Sequence, residues 1–165
     1  MQESTSSFVP IQETVAFRMY RTSRLIRHLH YITFQQSGFD LTPEQWFILN
    51  KLAVKSPQSQ TELGDSIMDD RPNMTRILLT MEKKNLISRR ADHTDKRKSE
   101  VHLSEEGCRV LEACLPSAVH VRDKLRQSID EEDMEAFWRV MDALDRNMQT
   151  LFEEENDPNR QADAE

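Results

Sequence analysis

The stretch from Ser59 to Ser104 constrains the fold most, because two short capped helices are followed at once by two alternating segments. Ser59-Gln60-Thr61-Glu62 has the form of a capping box. The serine hydroxyl can accept from the amide three residues on, and the glutamate can reach back. It opens about two helical turns through Leu63 and Ile67. Asp70-Arg71-Pro72 then starts a second helix, with aspartate as cap and proline where no donor is needed. Met74, Ile77, Leu78 and Met81 recur at helical spacing and predict its buried stripe. After Lys84 the period falls to two in Leu86–Arg90 and Ser99–Leu103, with a polar connection from Ala91 to Lys98. That pattern predicts a two-stranded hairpin with a basic loop.

The flanks are helical. Three glycines and six prolines in 165 residues are too few for an all-β or loop-rich fold. Residues 1–10 read as a loose arm, and no proline or glycine interrupts Ile11–Gln36. In that run Val15, Met19, Thr22 and Ile26 form one stripe while Leu25, Leu29 and Ile32 form another, so the helix needs two packing partners. Ser37-Gly38 ends it. Thr42-Pro43-Glu44-Gln45 opens a short apolar helix, and Ser56-Pro57 breaks it. Ser104 caps a return to helix in which Pro116 predicts a kink or break. Asp130 caps a last helix, whose stripe of Met134, Phe137, Trp138, Met141, Leu144, Met148, Leu151 and Phe152 has no partner in the adjacent sequence. The expected fold is mostly α with a small β-hairpin wing. Its parts are an arm (1–10), an N-terminal helix (11–40), a winged helix-turn-helix lobe (41–103), C-terminal helices (104–154) and a disordered tail (155–165), the helices at both ends being candidates for dimerisation because their stripes lack partners.

Charge points to a polyanionic partner. The chain carries a net −7, but residues 71–98 hold nine basic and three acidic side chains, whereas residues 128–165 hold three and thirteen. A basic segment on an acidic body is the footprint of a phosphate-backbone binder. In a helix-turn-helix the second helix enters the major groove, and here its first residues are Arg71, Pro72, Asn73, Met74, Thr75 and Arg76. Arginine can bond guanine and asparagine adenine, each with two hydrogen bonds. Ser59, Gln60 and Lys83 complete the expected recognition surface. On the wing Arg89, Arg90, Lys96, Arg97 and Lys98 face the flanking minor groove, with Asp95 directing Arg97. The alternative is a winged-helix scaffold whose basic lobe binds an acidic protein.

Other chemistry finds little footing. Cys108 and Cys114 lie six apart in one helix, about 9 Å along the axis, too far for a disulfide, and suit a reducing cytoplasm. No export signal, membrane span, phosphate loop, nucleophile elbow or paired metal-ligand spacing is present. No enzyme, cofactor or metal is expected.

Ser59-Gln60-Thr61-Glu62-Leu63, Asp70-Arg71-Pro72-Asn73-Met74-Thr75-Arg76, Asn85-Leu86-Ile87-Ser88-Arg89, Asp92-x-x-Asp95-Lys96-Arg97 and Val101-His102-Leu103-Ser104 together resemble the MarR family of bacterial regulators. Gly64 stands where that family commonly has alanine, and Asn85 where glycine is usual. The resemblance implies a homodimer in which the first and last helices interlock, through residues such as Val15, Met19, Phe137, Trp138, Met141, Leu144 and Met148. Two winged lobes then grip a palindromic operator, and the regulator is expected to be a repressor. It also implies an effector pocket for a small aromatic or anionic molecule, which Arg24, His30, Phe34, Trp46 and Met74 can line. Members that sense peroxide use a cysteine near the N-terminus, and this chain has none there.

Overall fold

The computed structural model describes residues 10–67, 71–91 and 99–156, the side chains of Ser66, Ile67 and Arg71 excepted. The predicted arm (1–9) and tail (from 157) lie outside the described residues, as does most of the wing loop. The elements in chain order are a 3-10 turn (Ile11–Glu13), α1 (Val15–Gln36), α2 (Pro43–Val54), β1 (Gln58–Ser59), α3 (Gln60–Ile67), α4 (Arg71–Lys83), β2 (Ile87–Ala91), β3 (Ser99–Leu103), α5 (Glu105–Arg126) and α6 (Glu131–Glu155). They fall into two compact units, divided after Asp123. The structure thus groups nearly all of α5 with the lobe, whereas the sequence reading starts the C-terminal region at residue 104.

Local chemistry sets most boundaries. Thr14 caps α1 by accepting from the Phe17 amide at 3.2 Å, which detaches the 3-10 turn from the helix expected to start at Ile11. At the other end Gly38 takes φ +83°, and the amides of Gly38 and Phe39 donate to the carbonyls of Gln35 and Phe34. That is a Schellman stop, which needs a residue tolerant of the left-handed region. Thr42 and Gln45 form the expected capping box of α2, at 3.3 and 3.2 Å.

The sheet has three strands rather than two, in the antiparallel order β1-β3-β2. Gln58 pairs with Val101 and Ser59 with Glu100. Two residues are too few to show an alternating pattern, so β1 is invisible to periodicity. Of the two outcomes expected at Pro116, a break is excluded, because α5 runs on through it to Arg126. Pro116 and Glu112, whose carbonyl loses its usual donor, are both exposed, so water can take that bond.

The first unit's core gathers Phe34, Leu41, Trp46, Ile48, Leu49, Leu52, Leu63, Met74, Leu78, Met81, Leu86, Ile87, Val101, Val110 and Cys114. Every helix from α1 to α5 and both hairpin strands contribute, so α4 packs one side into a core shared by the whole lobe. In the second unit Asp130 caps α6 through the Asp133 amide at 2.8 Å, and Arg126 pairs with Glu131 at 2.8 Å. Phe137 and Trp138 stack edge to face at 5.2 Å between centroids, yet both are about half exposed.

Candidate nucleic-acid interface

The geometry of α3 and α4 starts from their caps. The Ser59 amide donates to Glu62 at 2.7 Å and the Glu62 amide to Ser59 Oγ at 3.2 Å, the box the sequence predicts. These bonds, with Lys55 at 3.3 Å, hold the Glu62 carboxyl at about 2, below its ordinary 4.5. Gln60 reaches across to Thr75, Nε2 to Oγ1 at 2.7 Å, and fixes α3 against α4. At the far end of α4 Asn85 adopts φ +57°, and Leu86 N donates to Met81 O. Asparagine replaces glycine there at little cost because it tolerates the left-handed region.

Since folding lowers the Glu62 pKa, its cap is fully formed above about pH 5 and is lost as pH falls toward 2. Glu62 is half exposed, so we expect less than about 1 kcal/mol from it. Thermal midpoints should decline more steeply from pH 5 to 3 in the parent protein than in Glu62→Gln. Parallel curves would assign the cap no such role.

Burial around α4 defines its two sides. Met74, Leu78 and Met81 are wholly buried. At 100° per residue the opposite side carries Pro72, Arg76, Leu79, Thr80 and Lys83, and all five are exposed. Ile77, predicted within the buried stripe, is only half-buried, and it lines a cleft with Asn73, Arg76 and Thr80. The core axis is therefore rotated away from Ile77. Asn73 and Thr75, predicted as base readers, fall on opposite flanks. Thr75 is engaged by Gln60, while Asn73 Oδ1 accepts from Arg76 Nη2 at 2.5 Å. Leu79 and Thr80 are absent from the sequence reading. The spacing from Arg76 to Lys83 was the signal that could have found them.

The wing's basic residues divide. Arg89 donates two bonds to Glu82, at 3.0 and 2.7 Å, which braces the hairpin against α4 and holds the Glu82 carboxyl below its usual range. Arg90 is exposed one residue on. Asp95, Lys96, Arg97 and Lys98 lie outside the described residues, and for Arg71 only the backbone is described. A bond missed by sequence reasoning links Lys84 Nζ to Asp40, at 2.7 Å to Oδ2, and lowers the Asp40 pKa.

Of the five expected pocket residues, Phe34 and Met74 are wholly buried and Trp46 nearly so. His30, Phe34 and Trp46 form a stack with centroids 5.6 and 5.3 Å apart. His30 Nδ1 is buried there with no hydrogen-bond partner, and burial lowers the His30 pKa. Arg24 lies over the Tyr20 ring, 5.8 Å from its centroid. The cleft opens elsewhere, between α1 (Ser23, Ile26, Arg27), α2 and its cap (Thr42, Gln45, Phe47) and α4, with a volume of about 670 Å³. Of the expected dimerisation residues, Val15, Phe137, Trp138 and Met148 are exposed, and Met19, Met141 and Leu144 half-buried. Cys108 is exposed, whereas Cys114 is buried and its thiol is pushed up to about 11. Among the described residues no helix is long and apolar enough to cross a membrane.

The MarR family model matches residues 41–99, from α2 through the hairpin. The transcriptional regulator HosA of Escherichia coli O127:H6 is 26% identical over 124 residues, covering 75% of this chain and 92% of HosA. A crystal structure of a probable transcriptional regulator from Pseudomonas aeruginosa superposes with a TM-score of 0.73 at 25% identity, covering 81% of this chain and 98% of that one. The S. aureus MepR–DNA complex gives 0.74 at 21% identity with the same coverages. The chain is thus similar to the MarR family through its winged lobe, and the relatives it resembles over three quarters of its length are transcriptional regulators rather than enzymes.

Proposed function

We propose that this regulator acts as a homodimeric repressor that binds a palindromic duplex, one α4 in each of two successive major grooves. The observation that carries this reading is the polarity of α4. Its inner face is sealed by Met74, Leu78 and Met81, and its outer strip presents Arg76 and Lys83 from a locally basic segment. MepR, of like fold, is solved on DNA. Arg76 is the principal base reader, through guanine, and Asn73 holds its guanidinium in place. Arg97 and the neighbouring wing bases track the flanking minor groove. A second copy covers the exposed apolar residues of α1 and of α6, because such stripes need burial. A small aromatic or anionic effector enters the cleft beside α4, whose volume is ordinary for a ligand site, and alters the pose of Arg76.

The test is retention of random duplexes at moderate salt, followed by sequencing. Recovery of a palindrome with half-sites about 34 Å apart supports the reading. Weak retention without a motif, abolished by modest salt, would transfer the basic face to an acidic protein partner. On the recovered site Arg76→Ala should cost about 1–3 kcal/mol and relax one base pair per half-site. Asn73→Ala should relax the same pair, and the double variant should lose little more. Relaxation at two different pairs would restore Asn73 as an independent reader.

A further inference from the structure

We propose that Leu79 is a specificity residue that reads the 5-methyl group of a thymine in each half-site; this rests on the DNA-reading role proposed above. Arg76, Leu79, Thr80 and Lys83 follow one another at i, i+3, i+4 and i+7, and all are exposed on the side of α4 away from the core. This is the spacing with which a helix lying in the major groove presents side chains to bases. A single exposed leucine on a protein surface needs no explanation. Leu79 differs because it is 42% exposed in the middle of that row, between two cations that draw the row toward DNA.

An apolar side chain pressed against a base edge makes no hydrogen bond. Over the amino group of cytosine or adenine it would strip water from a donor and return nothing. Thymine presents a methyl group at the major-groove edge, the natural apolar partner in that groove. The neighbours leave this role to Leu79. Arg76 is held by Asn73 for a polar edge, and the Thr80 hydroxyl is turned back onto the Arg76 carbonyl at 3.0 Å. Three residues of helix advance about 4.5 Å, against about 3.4 Å per base-pair step, so the thymine lies one or two pairs from the base read by Arg76.

The experiment replaces each thymine of the recovered operator with deoxyuridine, which removes the methyl group and leaves base pairing intact. For the parent protein, one thymine position in each half-site should be sensitive, with a single replacement weakening binding about fourfold, the worth of about one buried methyl group, and replacement in both half-sites about fifteenfold. Leu79→Ala should bind the unmodified operator correspondingly less well and should be indifferent to that same replacement. Thr80→Ser, which also lacks a methyl group, should keep the parent's sensitivity. Equal affinity for every uridine-substituted duplex would overturn the assignment, as would a loss that persists in Leu79→Ala or vanishes only in Thr80→Ser. Failure to recover any operator would instead overturn the DNA-reading proposal, and this one with it.

Discussion

Phe34→Ala is expected to cost about 3–5 kcal/mol of folding stability, a fifth or more of the roughly 5–15 kcal/mol that a domain ordinarily possesses. Phe34 is the one buried residue of α1, and its side chain is wholly enclosed. Its ring lies between His30 and Trp46, so truncation leaves a hole where α1 meets α2. The spread reflects how far that hole can relax or hydrate. His30 Nδ1 is buried beside it without a partner, and a water admitted there would gain a hydrogen bond, which favours the lower end of the range. Urea unfolding should show the midpoint falling sharply, with a smaller fall for Phe34→Leu, which refills part of the space. A loss under about 1 kcal/mol for the alanine variant would mean that Phe34 does not anchor α1 to the lobe.

Gly107→Ala should be nearly as damaging, although alanine is ordinarily the better helix former by about 1 kcal/mol. A Cβ on Gly107 would lie 2.2 Å from the Leu86 carbonyl oxygen and 2.8 Å from Leu103 Cδ1. The leucine tip can rotate away, but the carbonyl cannot. It already accepts from the Ser104 amide and directly follows the left-handed Asn85 that ends α4. Relief requires α5 to move off the start of β2, an overpacking cost of about 3 kcal/mol or more against the propensity gain. The net loss, about 2–3 kcal/mol, should appear as a lower thermal midpoint, and operator binding should weaken through a displaced hairpin. An unchanged or raised midpoint would show that the first turn of α5 is free to shift.

The site was partly legible before the fold was known. Both capping boxes, the Asp130 cap and the stop at Gly38 depend on residues within five positions of one another, so the sequence states them directly. The same holds for Asn85, whose tolerance of positive φ is a property of the residue itself. The two-residue strand β1 was not legible, because it exists only through its pairing with β3. Nor was the occupation of Arg89 by Glu82, seven residues upstream on another element. Composition counts Arg89 as one more wing cation, whereas the fold uses it as a brace.

What the sequence by itself determined is the order of elements, their caps and the separation of basic from acidic segments, all consequences of local hydrogen bonding and residue chemistry. The periodic stripe of α4 also showed which side is broadly apolar. Only the tertiary structure decided how far that helix is rotated. Met74, Leu78 and Met81 are sealed by neighbours from α1 to β3, while Ile77 turns partly into the cleft. That rotation carries Asn73 and Thr75 onto the flanks and puts Arg76, Leu79, Thr80 and Lys83 outermost. The reason is physical: a helix fixes angles between its own side chains, but its roll is set by which of them the rest of the chain can bury.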